Sequence, residues 1–111
     1  MNLKQHTLEG VDIVALPERL MMADAAGARA SLKEIIDHGS GKLILDLKAT
    51  SVMDSSGLAV LVSALQAARK RQGDVYLCGM SDTVRALFEL TRLQTVFQIF
   101  DDETVALRAF G

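Results

Sequence analysis

The run Leu43-Ile44-Leu45-Asp46-Leu47 is apolar on both of the faces a strand would present, with Asp46 as its one polar position. Such a strand belongs in the middle of a parallel sheet covered on both sides, because a strand with one wet face would alternate. Parallel neighbours need crossovers, and the chain supplies helical patterns to make them. From Ala23 to Asp37, the residues Ala25, Ala28, Leu32, Ile35 and Ile36 recur at helical spacing, with Arg29, Lys33 and Glu34 elsewhere on the cylinder. From Leu58 to Arg71, the residues Leu58, Leu61, Val62, Leu65 and Ala68 form one stripe, and Ser63, Gln66, Lys70 and Arg71 lie off it. Ser81-Asp82-Thr83 reads as a cap before a face of Val84, Leu87, Phe88 and Thr91. Asp101-Asp102-Glu103 then places three carboxylates at the positive end of a last helix carrying Val105, Ala106, Ala109 and Phe110.

The remaining apolar runs read as strands. Leu3 to Leu8 and Val11 to Leu16 flank Glu9-Gly10 as a hairpin, and Pro17, which has no N–H for a ladder, ends the second. Asp74 to Gly79 is a further buried strand and Val96 to Phe100 a last short one. His38-Gly39-Ser40-Gly41 stops the first helix, and Gly73 closes the second after Arg69-Lys70-Arg71, cations suited to the negative end of that helix. With 111 residues and 50% hydrophobic content, one domain over 1–111 with a single core is expected. The predicted class is α/β: a mixed, mostly parallel sheet of four or five strands with about four helices, wound as one right-handed βα superhelix. Asp46 either accepts N–H bonds from the following loop or faces solvent.

Between the central strand and the second helix lies Val52-Met53-Asp54-Ser55-Ser56-Gly57-Leu58. At a strand-to-helix junction, unpaired N–H groups and the helix dipole favour negative charge. Asp54 or Ser55 can cap the helix through its side-chain oxygen, and Gly57, lacking Cβ, lets another backbone come close. Ser56 then keeps its hydroxyl available in the first turn. A hydrolase elbow, Gly-x-Ser-x-Gly, is absent, as are a phosphate loop and a dinucleotide fingerprint. The two histidines, His6 and His38, fall on the hairpin and at a helix end. No catalysis and no cofactor are expected, and the adjacent carboxylates 101–103 lack the spacing of a calcium loop.

A net charge of −2, with 23% charged residues, gives no basic field for nucleic acid. Cys78 is alone within an apolar run and reads as a buried thiol in a reducing compartment. There is no apolar leader at the amino terminus and no stretch long enough to span a bilayer, so a cytoplasmic protein without membrane insertion is expected.

Asp46-Leu47, then Met53-Asp54-Ser55-Ser56-Gly57-Leu58, then Arg69-Lys70-Arg71 before Gly73, resemble the STAS domain family, and within it the bacterial anti-sigma factor antagonists. The likeness follows the order of elements over nearly the whole chain. It implies a regulator that binds an anti-sigma factor of serine-kinase fold, freeing a sigma factor, and that is released on phosphorylation of the second serine of the motif, with a serine phosphatase as a further partner. That acceptor falls on Ser56, and the partner-binding residues on Asp54, Ser55, Ser56, Gly57 and Leu58. Phosphorylation adds roughly −1.5 to −2 charges beside Asp54, and desolvating them against a partner changes affinity about a hundredfold or more. The chain departs from the family where Glu18-Arg19-Leu20-Met21 stands for Gly-x-Leu-Asp, and where Arg92 stands for a common Gly. A monomer or weak dimer is expected. Two alternatives are an accessory subunit of a lipid-transport membrane complex and a sensor of a nucleotide or other small ligand beside Ser56.

Overall fold

The computed structural model describes residues 2–111. β1 (Lys4–Leu8) and β2 (Val11–Ala15) form the expected antiparallel hairpin. Its turn residues Glu9 and Gly10 both have positive φ, 54° and 78°, the conformation that matches the twist of tightly connected strands. After a two-residue strand, β3 (Arg19–Leu20), come α1 (Met22–His38) and β4 (Lys42–Asp46). The chain continues through a second two-residue strand, β5 (Val52–Met53), to α2 (Ser55–Lys70), β6 (Asp74–Cys78) and α3 (Asp82–Leu90). It ends with β7 (Gln98–Phe100) and α4 (Glu103–Phe110).

The main sheet runs β1-β2-β4-β6-β7, and every pair after the hairpin is parallel. Alternation along the strands divides the core in two. Val14, Leu43, Leu45, Val75 and Leu77 point to the face covered by α1, α2 and α3. Val11, Ile13, Ile44, Tyr76 and Cys78 point the other way, where Ala106 of α4 lies. β4 is therefore covered on both sides, as its composition requires, and full burial of each of its leucines stabilises the fold by about 1.5–3 kcal/mol.

Two expectations are corrected, and one pairing is new. The face of α4 is Ala106, Leu107 and Phe110, with Phe110 stacked on Tyr76 at a centroid distance of 3.9 Å, while Val105 and Ala109 face solvent. The i, i+1, i+4 set around Ala106 fixes the phase, and Val105 is a full step off it. The last strand is shorter than Val96–Phe100, because Leu93–Thr95 forms a 3₁₀ turn and Phe97 turns inward against Phe88. Finally, β3 and β5 form a separate parallel pair that no periodicity announced, two residues being too short to show any.

α2 buries Val60 and Ala64 as well as Leu58, Leu61, Leu65 and Ala68, because it packs against α1 as well as the sheet. The main chain of Arg71 caps the end of its own helix, its N–H donating to the Ala68 carbonyl at 3.0 Å, but its side chain serves the other one. Its guanidinium donates to the carbonyls of Ile36 and Gly39, closing the carboxyl end of α1. Among the described residues, no helix is long and apolar enough to cross a membrane.

Candidate functional site

The two loops that follow β2 and β4 are tied together. The N–H groups of Ser51 and Val52 donate to the carbonyl of Glu18 at 2.9 and 3.2 Å, and the buried Thr50 hydroxyl donates to the carbonyl of Pro17 at 2.8 Å. These bonds align β3 with β5 and bring the amino ends of α1 and α2 side by side.

Asp54, in extended backbone, is the residue that caps α2. Its Oδ1 accepts the N–H of Gly57 at 3.1 Å, and its Oδ2 accepts the N–H of Met22, the first residue of α1, at 3.0 Å. Ser55 is left as the first helical residue, exposed. Ser56 is the second, half-buried, and among the described residues no hydrogen bond engages its hydroxyl. Gly57 and Leu58 are buried and hold the turn from inside. A Cβ on Gly57 would stand 2.3 Å from the carbonyl oxygen of Leu20 and 2.7 Å from the Met53 side chain, so the close approach anticipated at Gly57 is made by β3.

The departure at Glu18–Met21 has a structural consequence. Met21, at the start of α1, makes no side-chain cap, and its N–H donates to Asp24 at 3.0 Å. Asp24 also receives Arg19, and the guanidinium, followed by the Met21 N–H, holds its carboxyl below the ordinary range. Asp24 and Asp54 between them thus do for α1 what a capping carboxylate at position 21 would do.

Apolar surface lies exposed around this corner. Met22 is 74% exposed, Val52 45% and Leu90 82%. Beside β5, a cavity of about 270 Å³ opens between Met53 and the Val84, Leu87 and Leu90 side of α3.

Asp46 takes the first of its two open readings: its Oδ1 accepts the Lys48 N–H at 2.8 Å. Its carboxyl also acts on that of Glu103, a partnership across 57 residues that no sequence pattern signals. That partnership, then burial and the Asp46 charge, raises the Glu103 carboxyl above its ordinary range. Burial, reinforced by Asp46, Glu103 and Asp102, pushes the Cys78 thiol up to about 12, so it is inert as a nucleophile. Asp102 caps α4 by accepting the Val105 N–H at 2.9 Å. Among the described residues, no group of three or more His, Cys, Asp or Glu side chains could hold a metal ion.

Neither histidine meets Ser56. His6 is on β1, at the edge of the sheet, and His38 ends α1, its Nδ1 within hydrogen-bond distance of the Glu34 carbonyl at 2.9 Å. Because Asp54 touches the first residue of α1, the length of that helix, about 24 Å at 1.5 Å per residue, separates His38 from the motif. The corner therefore offers a hydroxyl with no imidazole beside it.

The STAS domain model matches residues 2–106 of this chain. The chain belongs to the STAS domain family. The STAS chain is 28% identical over 110 residues to BtrV of Bordetella bronchiseptica, described as an anti-sigma factor antagonist, spanning 99% of this chain and 95% of that protein. It is 44% identical over 57 residues to the anti-sigma-B factor antagonist of Listeria monocytogenes, about half of either chain. The solved structure of the anti-sigma factor antagonist SpoIIAA in its unphosphorylated form superposes with a TM-score of 0.75 at 20% identity, over 99% of both chains. SpoIIAA, a Bacillus cell fate determinant, has also been solved in its phosphorylated form, with a TM-score of 0.72. That likeness is one of fold. STAS domains of this kind are binding modules of regulatory systems rather than enzymes.

Proposed function

We propose that this STAS domain is an anti-sigma factor antagonist whose affinity for its partner is set by the phosphorylation state of Ser56. The observation that carries the reading is the Ser56 hydroxyl itself: second in α2, half-buried, unbonded, and next to the carboxylate that caps the helix. The descriptions of BtrV and the Listeria protein supply the partner class, an anti-sigma factor, and the finer reading is one with a serine-kinase fold.

Unmodified, the corner presents a small hydroxyl flanked by exposed Met22 and Val52, a surface an apolar partner covers at little polar cost. A phosphate at Ser56 brings roughly −1.5 to −2 charges. Within the domain, the amino end of α2 offers main-chain N–H groups and a favourable dipole, so the fold accepts it. Across an interface the same group sits beside the Asp54 charge and must be desolvated against the partner, which costs several kcal/mol. Binding is lost while the fold is kept, and a serine phosphatase restores it.

Incubation with the cognate anti-sigma kinase and ATP tests the assignment. Wild type takes up one phosphate and Ser56→Ala none, while Ser56→Asp folds normally yet binds the kinase at least a hundredfold more weakly. Equal labelling of wild type and Ser56→Ala overturns it.

A further inference from the structure

Between the amino-terminal edge of the sheet and the carboxyl half of α1 lies a cleft of about 420 Å³, within the roughly 300–1,000 Å³ range of small-ligand sites. The Ser56 corner adjoins the other end of α1. Asp12 of β2 stands opposite Thr7 of β1 and, two residues before Val14, points to the same face of the sheet, under α1. It lines the cleft and is only 7% exposed. Its Oδ1 accepts the Thr7 hydroxyl at 2.8 Å, while its Oδ2 has no hydrogen-bond partner among the described residues. The residue set against Oδ2 is Gly39, which closes α1 and also lines the cleft; a Cβ there would stand 2.1 Å from that oxygen. A carboxylate accepts at both oxygens, and leaving one unpaired in so buried a place costs free energy that a donor recovers.

What the cleft lacks is positive charge. No lysine or arginine lines it, and Glu34 adds a second carboxylate on the exposed wall. The carboxyl end of α1 contributes the negative pole of its dipole, where cations are favoured. His38 also lines it, with Nδ1 at 2.9 Å from the Glu34 carbonyl. Leu3 and Ile35, both half-buried, add accessible apolar surface, one from each side.

We propose that this cleft binds a primary ammonium group carried on a short alkyl chain. The ammonium, with three N–H donors, pairs with Asp12 and is drawn in by Glu34, and the chain lies against Leu3 and Ile35. An anionic ligand would meet repulsion from both carboxylates, and a quaternary ammonium brings charge but no N–H for Oδ2. The site is independent of Ser56.

Titration of the ¹⁵N-labelled protein with butylammonium chloride, at ionic strength held constant with sodium chloride, tests the proposal. Saturating amide shifts are expected on residues 2–5, 12 and 31–39, and neither butanol nor tetramethylammonium is expected to produce them. Asp12→Asn keeps an acceptor for Thr7 and removes the charge, and is expected to lower butylammonium affinity about tenfold or more with an unchanged circular dichroism spectrum. Glu34→Gln, at an exposed position where the fold is not at stake, is expected to lower it about threefold. Equal binding of Nα-acetyl-lysine amide names a lysine side chain as the source, and binding of butylammonium alone names a free amine. Ser56→Ala binds butylammonium like wild type, so this result stands apart from the phosphorylation assay. No saturating shift, shifts outside the cleft, an equal response to tetramethylammonium, or undiminished binding by Asp12→Asn overturns the proposal.

Discussion

Oδ2 of Asp54 accepts the main-chain N–H of Met22 at 3.0 Å, so the carboxylate that caps α2 also closes the start of α1, 32 residues earlier. Each helix start leaves unpaired donors, and one side chain satisfies a donor on both. Asp54→Ala removes two charge-assisted bonds and is expected to cost about 2–3 kcal/mol of unfolding free energy in urea. Asp54→Ser retains an oxygen that reaches Gly57 but is too short for Met22, and is expected to cost about half as much. Equal losses for the two variants would show that only one of the bonds matters.

Gly57 presents a case in which sign, not size, decides. At an exposed helix position, replacing glycine by alanine stabilises by up to about 1 kcal/mol. Here the new methyl would stand 2.3 Å from the Leu20 carbonyl oxygen, which belongs to β3 and cannot move without breaking its pairing with β5. Gly57→Ala is expected to destabilise by about 1–3 kcal/mol and to lower the thermal midpoint. A raised midpoint would show that the β3 backbone gives way freely.

Much of this was legible because the strongest signals were periodic. The two-sided apolarity of Leu43 to Leu47 implied a covered parallel strand, and the stripes of α1 and α2 were phased correctly from Ala28, Leu32, Leu61 and Leu65. Where the chain is short of period, the reading slipped: the eight residues of α4 allowed Val105 to be set on the wrong face. The site divides in the same way. Asp54 as a possible cap and Gly57 as a point of close approach follow from local turn chemistry, but the Asp54 bond to Met22, the Asp46 partnership with Glu103 and the Arg71 closure of α1 join segments far apart. Such partnerships, whether hydrogen bonds or the electrostatic one between Asp46 and Glu103, leave no mark in spacing, since any carboxylate or guanidinium of suitable length could make them.

Glu103 ties stability to pH. Its carboxyl titrates above its ordinary value in the fold, first because of Asp46 and then because of burial. The folded state therefore holds that proton more tightly than the unfolded chain does. Below the ordinary glutamate range both states are protonated and the contribution is whole; as pH rises through the raised value it is lost. Glu103→Gln keeps a donor toward Asp46 without titrating. Its thermal midpoint is expected to match wild type near pH 4 and to exceed it at pH 7. Parallel curves for the two proteins across that interval would remove the Asp46 partnership as the cause.

Arg92 occupies the left-handed region, φ 61° and ψ 21°, at the turn from α3 into the 3₁₀ turn 93–95. Glycine adopts that conformation without strain, so an arginine here carries a measurable cost. A residue with a Cβ pays about 1–2 kcal/mol to hold it, whereas glycine loses about 0.5–1 kcal/mol more backbone freedom on folding. The first term is the larger, so Arg92→Gly is expected to raise unfolding free energy by roughly 0.5 kcal/mol, and Arg92→Val, whose branched side chain fits this region worst, to lower it by at least about 1 kcal/mol. Chemical denaturation of the three proteins in parallel separates them, and an order in which valine equals arginine would mean that this turn relaxes out of the left-handed region at no cost.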